Sequence, residues 1–143
     1  MSLENRIDEL KSEFGQFSQW EDRYRHIIQK GKNLDPLNEE YRTEKNKVKG
    51  CQSQVWLNAE LQEDKIKFQA DSDAAIVRGI IATLLQIYDE ATPQEVLTTK
   101  PTFLDDIGLR QHLSMSRANG LSAMLKQISL YAVALQSQMQ QRQ

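Results

Sequence analysis

Cysteine and histidine are scarce in this sequence, which limits disulfide and metal chemistry. Cys51 is the only cysteine among 143 residues, and His26 and His112 are the only histidines. A single thiol cannot form an intrachain disulfide, and two distant histidines without a cysteine pair fall short of the usual set of about four ligands in a structural zinc site. Residues 1–6 contain neither the basic stretch nor the apolar stretch of a secretion signal. We therefore expect a protein of the reducing cytoplasm that holds no structural metal.

Long hydrophobic runs and an excess of positive charge are also lacking. The longest apolar stretch spans residues 79–85, between Arg78 and Gln86, whereas a membrane-spanning helix needs about 18 or more apolar residues. The 18 Lys and Arg residues are balanced by 20 Asp and Glu residues, which gives a formal net charge of −2. Such a chain produces no large positive field for a phosphate backbone, so we expect neither membrane insertion nor nucleic-acid binding.

The overall amino-acid composition is that of an ordinary globular domain. Hydrophobic residues make up 39% of the chain and charged residues 27%, which is typical of folded rather than disordered proteins. A chain of this length is expected to bury about 68–70% of the surface that its unfolded form exposes. The sequence therefore predicts a single domain over residues 1–143.

Apolar residues at helical spacing predict two helices at the start of the chain. Behind Ser2, a good N-cap residue, the first stripe comprises Leu3, Ile7, Leu10, Phe14 and Phe17. A second stripe follows the potential capping-box pair Ser18 and Glu21, and it stops at Gly31, a residue type that commonly ends helices.

The middle of the chain has the pattern of a loop followed by a β-hairpin. An Asp-Pro step breaks the helical pattern, and residues 38–47 have no apolar period, which indicates an exposed loop. Apolar and polar residues then alternate over 55–61 and again over 66–70, around a polar tip at 62–65. A further strand near 46–49 would make a sheet of about three strands.

The second half of the sequence predicts several more helices. Residues 71–73 (DSD) offer side-chain acceptors to the amides of a helix over 74–88, which is apolar on most faces and therefore central. Residues 92–95 (TPQE) form a capping box with proline at the first helical position, and Pro101 closes that region. A last helix is expected over 116–138, followed by a frayed Gln-rich tail. The order of elements predicts an α+β fold, with a small antiparallel sheet packed against several helices.

Cys51 lies between a basic loop and a strand, in the stretch 46–56 (NKVKGCQSQVW). Gly50 before it permits a tight turn and a close approach by a partner. Positive charge that would favour the thiolate is present at Lys45, Lys47 and Lys49. A cysteine can also be a small packed side chain, so the residues alone leave a reactive thiol and a structural one open.

A lone thiol restricts the chemistry that Cys51 can perform. A hydrolase would need a base, for which His112, oriented by Asn119 or by an Asp, is the candidate, but no protease signature surrounds it. Thioredoxin-like redox work would need a C-x-x-C pair or a resolving cysteine, and the chain has neither. Transfer of a sulfur atom requires only one thiol on this chain, because the partner supplies the second sulfur.

Three stretches of the sequence carry a resemblance to the SufE family of cysteine desulfurase activators. They are residues 46–56, which hold Cys51, residues 71–79 (DSDAAIVRG) and residues 112–121 (HLSMSRANGL). They occur in the family's order, and the similarity spans nearly the whole chain. Met115 stands where relatives often have proline, so this turn lacks the rigidity that a proline ring would give it.

The resemblance implies a fold like that of SufE proteins and IscU-type scaffolds, and a role in iron–sulfur cluster assembly. Cys51 would accept sulfur as a persulfide from a SufS-like, pyridoxal-phosphate-dependent cysteine desulfurase and pass it to a Suf-type scaffold complex. The chain would itself be a carrier and activator rather than an enzyme, and would bind no cofactor. The family places Asp73 and Arg117 near the cysteine loop, so both are supporting site candidates beside Gly50 and His112.

Other hypotheses remain beside the sulfur carrier. A non-covalent module that binds a desulfurase or a cluster scaffold would use Cys51 only for packing, and a thiol hydrolase would use His112. A cluster scaffold would need about four ligands, which one cysteine and two distant histidines do not supply. A homodimer is left open. Trp56 and Tyr88 are expected to be core aromatics, and Cys51 is expected to be partly shielded on a loop that moves when a partner docks.

Overall fold

The computed structural model describes residues 2–142 and has the predicted α+β class. Two strands and six α-helices follow one another along the chain, with short 3-10 turns at Glu39–Tyr41, Glu44–Asn46 and Arg110–His112. In chain order the elements are α1 (Leu3–Gly15), α2 (Trp20–Lys32), β1 (Val55–Gln62), β2 (Lys65–Ser72), α3 (Ala75–Tyr88), α4 (Pro93–Thr98), α5 (Phe103–Asp106) and α6 (Met115–Gln141).

The sheet is the predicted hairpin, but it has two strands rather than about three. β1 and β2 pair antiparallel from Val55 opposite Ser72 to Gln62 opposite Lys65. The expected third strand near 46–49 is reduced to one bridge, in which the Val48 amide donates to the Val55 carbonyl at 2.8 Å. The chain cannot extend this pairing because it turns at Gly50, whose φ is +91°.

Helix α3 lies at the centre of the core and crosses α2 at unusually close range. Most of its residues are buried, including the predicted core aromatic Tyr88. At the crossing, Gly79 faces α2 so closely that an added Cβ would lie 2.2 Å from the Ile27 carbonyl oxygen. Gly31 on α2 faces the backbone of Gly79 in the same way. Gly31 therefore permits helix packing and does not end α2, which continues to Lys32.

Two of the four predicted helix caps are confirmed. The Ser2 side chain accepts from the Asn5 amide at 3.2 Å. At the start of α4, the Thr92 side chain accepts from the Glu95 amide at 3.1 Å, while the Glu95 carboxylate accepts from the Thr92 amide at 2.9 Å. Both caps involve residues within three positions of each other, so local sequence suffices to predict them.

Of the other two predicted caps, the one at Ser18 is wrong and the one at residues 71–73 is formed only in part. Helix α2 begins at Trp20, with Gln19 as an N-cap that makes no side-chain bond. Ser18 lies one residue before this N-cap, in a turn where the Arg23 side chain donates to the Phe17 carbonyl at 2.9 Å. The N-cap of α3 is Ala74, which makes no side-chain cap bond. One of the expected acceptors is nevertheless used, because the Ser72 hydroxyl accepts from the Ala74 amide at 3.2 Å. The carboxylates of Asp71 and Asp73 do not cap the helix and mainly bind groups distant in sequence, as described below.

The last helix is longer than predicted. It spans 27 residues, so the Gln-rich segment expected to fray is helical up to Gln141. Helix α4 packs against α6, and Gln136, Met139 and Gln140 border a pocket with the start of α4. No helix within residues 2–142 is both long enough and apolar enough to cross a bilayer.

Replacing Gly79 with alanine is expected to lower the free energy of unfolding by about 2–3 kcal/mol, because the new methyl group would force α2 and α3 apart. Urea denaturation measures this loss. Gly15→Ala is the matched control, since an added Cβ there meets no atom within 4 Å; its effect should be below about 1 kcal/mol. Equal stability of the two variants would contradict the close helix crossing.

Candidate functional site

Cys51 lies on the loop that connects the bridge between Lys47 and Trp56 to the start of strand β1. Gly50 immediately before it has a positive φ of +91°, a backbone conformation that L side chains rarely adopt. Gly50 also lies against α6, where an added Cβ would be 3.5 Å from the Ala123 Cβ. The glycine therefore turns the chain so that Cys51 faces the first part of α6.

The Cys51 sulfur rests on α6 at Gly120. Its Sγ lies 3.6 Å from the Gly120 carbonyl oxygen, to which the thiol donates a weak hydrogen bond. A Cβ added at Gly120 would be 3.5 Å from this Sγ, so a side chain there would occupy the space beside the sulfur. Gly120 was not among the residues singled out in the sequence, because its role depends on the loop folding back across 69 residues.

A cavity of about 300 Å³ lies beside the thiol. Its walls come from the cysteine loop, from α3 and from the start of α6, and its lining includes Cys51, Ser53, Val77, Ser116, Arg117 and Gly120. Arg117 is exposed, and among residues 2–142 its guanidinium makes no ion pair. The structure thus brings the candidate residues Gly50, Cys51 and Arg117 to one site, with space beside the sulfur.

Burial raises the pKa of the Cys51 thiol above its ordinary value. The expectation that nearby lysines favour the thiolate is wrong for this resting arrangement. Lys45, Lys47 and Lys49 line a different groove, on the side of the loop that faces Lys126. The dominant effect on Cys51 is therefore loss of contact with water, which disfavours the charged form. At neutral pH the thiol is protonated and can donate to the Gly120 carbonyl.

Asp71 anchors the segment that leads to the cysteine loop. Its carboxylate is fully buried and accepts from the guanidinium groups of Arg42 and Arg78, each at 2.5 Å. It also accepts from the amides of Leu37 at 3.3 Å and Ser72 at 2.8 Å. The carboxylate therefore joins β2, α3 and the segment between α2 and β1. The sequence signal that could have suggested this role is an acid at the end of an apolar strand.

Trp56 contributes to this cluster from strand β1. It is half-buried rather than a core aromatic, and the Arg42 guanidinium lies over its ring at 4.9 Å from the centroid. The indole thus packs against the same arginine that binds Asp71, which adds a cation–π contact to the ion pair. Arg42 and Trp56 together hold the base of the cysteine loop against the sheet.

Asp73 fastens the other end of the cysteine loop. Its carboxylate accepts from the Gln54 amide at 3.0 Å, and its own amide donates to the Gln54 carbonyl at 3.3 Å. The side chain is exposed and does not line the cavity beside Cys51. Asp73 is therefore placed to hold the loop rather than to touch the sulfur.

His112 is not brought to Cys51. Its ring stacks on Trp20 with centroids 4.3 Å apart, and its Nδ1 is 2.8 Å from the Gly108 carbonyl oxygen. Neither His112 nor Asn119 belongs to the described lining of the cavity. The arrangement that a thiol hydrolase would require is therefore not assembled. Within the described part of the chain, no three His, Cys, Asp or Glu residues lie together as a metal site.

Comparison with known proteins identifies the family. Residues 8–132 match the family model described as "SufE: Fe-S metabolism associated domain". The chain belongs to the SufE family. A SufE-like protein of Rhizobium meliloti (strain 1021) is 42% identical over 129 residues, which cover 85% of this chain and 91% of the relative. This membership supports a role in iron–sulfur metabolism and interaction with proteins of that process.

The fold of this SufE-family chain is shared with a solved structure. The solution structure of a hypothetical protein from Thermus thermophilus matches with a TM-score of 0.77, covering 92% of this chain and 96% of that one. The two sequences are 19% identical, so the match concerns the fold alone.

Replacing Asp71 with asparagine is expected to lower the free energy of unfolding by about 2–3 kcal/mol, because two arginines lose their buried counter-charge. Thermal or urea denaturation measures the loss. Asp22→Asn is the control, since Asp22 pairs with Arg25 at the surface and should change stability by less than about 0.5 kcal/mol. An Asp71→Asn variant no less stable than this control would mean that the buried cluster does not stabilise the fold.

Alkylation of Cys51 in the folded protein is expected to rise with pH through a midpoint above that of the urea-unfolded chain, because burial raises the pKa of the folded thiol. Iodoacetamide labelling followed by intact mass measures the rate at each pH. The unfolded chain is an internal control, since Cys51 is its only thiol. Equal midpoints, or a lower midpoint in the folded protein, would contradict the shielded resting state.

Proposed function

We propose that this SufE-family chain is a sulfur carrier that accepts a persulfide on Cys51. The donor would be a SufS-like, pyridoxal-phosphate-dependent cysteine desulfurase, and the receiver a Suf-type complex that assembles iron–sulfur clusters. The observation that supports this most strongly is the position of the chain's only thiol, which lies on a glycine-turned loop beside a cavity of about 300 Å³. The cavity offers space for a second sulfur atom next to Sγ.

The transfer is an exchange between a thiolate and a persulfide. The Cys51 thiolate attacks the terminal sulfur of a persulfide on the desulfurase cysteine, forming one S–S bond and breaking another. The desulfurase cysteine leaves as a thiolate and takes up the proton that Cys51 has lost. No external oxidant or reductant is needed, because the sulfane sulfur keeps its oxidation state. Removal of the sulfur would free the desulfurase cysteine for another reaction cycle and so activate the desulfurase. In this role the chain would need neither catalytic turnover nor a cofactor of its own.

The resting geometry shields the Cys51 thiol and disfavours its reaction. Burial against Gly120 raises the pKa of Cys51, so release of the loop by the docking desulfurase would favour formation of the thiolate. Gly50 is placed to act as the hinge, and Asp73 keeps the far end of the loop attached to the sheet. Arg117, with no ion pair to the described residues, would stabilise the returning persulfide anion in the cavity. A persulfide carrier of this kind belongs in the reducing cytoplasm.

Incubation with desulfurase and cysteine is expected to add the mass of one sulfur atom to the intact wild-type chain, and the addition should be reversed by a reducing agent. Cys51→Ser keeps the size of the side chain but removes the nucleophile, so this variant should gain no mass and should not stimulate the desulfurase. Peptide mapping of the wild type places the added sulfur.

Two results would contradict the carrier. A wild-type chain that gains no sulfur while the desulfurase turns over would exclude persulfide transfer. Full stimulation of the desulfurase by Cys51→Ser would favour a non-covalent binding module, in which Cys51 only packs against α6.

A further inference from the structure

A second concave surface lies on the other side of the cysteine loop. This lysine groove has a volume of about 400 Å³ and is formed by residues 44–49 on one side and by α6 on the other. Its lining includes Lys45, Lys47, Lys49, Lys126 and Leu130. None of the functions assigned to the Cys51 cavity uses it.

The lysine groove concentrates positive charge in a chain whose formal net charge is −2. Four lysines line it with one acid, Glu44, whose carboxylate lies 3.5 Å from the Lys47 ammonium group. Lys45, Lys49 and Lys126 are exposed and make no ion pair with any residue between 2 and 142. The charges of these three lysines are therefore available to a partner.

Apolar surface continues from the lysine groove along the same helix. Leu130 is 52% exposed at the edge of the groove, and Val133 is 54% exposed one turn further along α6. Unpaired cations beside exposed aliphatic side chains form a surface that is complementary to an acidic protein segment carrying an apolar side chain.

The lysine groove and the thiol share one short segment of backbone. Lys49 lines the groove, Gly50 packs on Ala123, and Cys51 faces the cavity on the other side. Two residues of extended chain span at most about 7 Å. A partner seated in the groove therefore contacts the segment that must move for the thiol to leave Gly120.

We infer that the lysine groove docks the sulfur-donating desulfurase through an acidic segment, with an apolar side chain of that segment on Leu130. This inference rests on the proposed function, because it names the surface by which that donor reaches Cys51. The charge provides steering and a salt-sensitive part of the affinity, while Leu130 provides a part that salt does not screen.

The test compares binding of purified variants to the cysteine desulfurase of the source organism, by calorimetry at low and at physiological salt. The double variant Lys45→Glu/Lys126→Glu is expected to raise Kd at least about tenfold at low salt and to flatten its salt dependence. Lys100→Glu, which changes another exposed lysine remote in sequence from the lysine groove, is the charge control and should change Kd less than about twofold.

A second variant separates the apolar contribution from the charge. Leu130→Ser is expected to raise Kd about fivefold at both salt concentrations, whereas Leu97→Ser, also an exposed leucine, should leave Kd unchanged. All the substituted positions are exposed, and circular dichroism verifies that each variant is folded before binding is measured.

The outcomes distinguish this inference from the proposed function. Unchanged Kd in the double variant overturns the docking surface, while sulfur uptake by wild-type Cys51 in the same experiment leaves the carrier standing. If the wild type fails to take up sulfur, the proposed sulfur-carrier function is overturned. The inference that the desulfurase docks in the lysine groove is then overturned with it. A third outcome would also overturn the inference. In it, the double substitution abolishes a dimer of this chain, or a complex with a DNA oligonucleotide, and leaves desulfurase binding unchanged. The groove would then be assigned to that other occupant.

Discussion

The buried carboxylate of Asp71 is the constraint on which the geometry around Cys51 depends. A carboxylate removed from water is costly unless opposite charge and hydrogen bonds surround it, and here two arginines and two amides do so. These partners come from β2, α3 and the segment that precedes the cysteine loop. Satisfying one acid therefore fixes three parts of the chain at once, and Arg78 extends the link to the carbonyls of Gly31 at 3.2 Å and Leu34 at 2.9 Å.

Helix α6 provides the other fixed surface against which the cysteine loop rests. Small residues on α6 allow the loop to approach closely. Gly120 leaves room for the Cys51 sulfur, and Ala123 leaves room for the turn at Gly50. The close approach that shields the thiol also keeps it protonated. Protection and low reactivity thus have the same physical cause, which is exclusion of water, and any event that separates the loop from α6 reverses both together.

Features that depend on neighbours in sequence could be predicted from the sequence. The hairpin follows from alternation of apolar residues, the helices from their apolar periods, and the caps at Ser2 and Thr92 from residues three positions apart. Family resemblance directed attention to Cys51 and Arg117, which the fold then places at one cavity. The α+β class was predicted, although the third strand was not realised.

Features that depend on distant partners could not be predicted in this way. Asp71 looks like a helix cap until Arg42, 29 residues earlier, is seen to bind it. Gly31 looks like a helix end because its close approach to Gly79 exists only in the folded chain. The lysines around Cys51 suggest a thiolate, but the path of the loop over α6 directs them into a separate groove. In each case the residue type suggested a role, but the contact that decides the actual role is made only in the folded chain.

The isolation of Cys51 has a consequence for any atom that it carries. In proteins with a neighbouring thiol, a persulfide is attacked from within, and the outer atom is released as hydrogen sulfide while a disulfide closes. This chain has no second sulfhydryl to perform that reaction. If Cys51 carries a persulfide as proposed, the lifetime of that sulfur would be governed by encounters with other molecules, and the recess that it shares with Arg117 would limit which of them can approach.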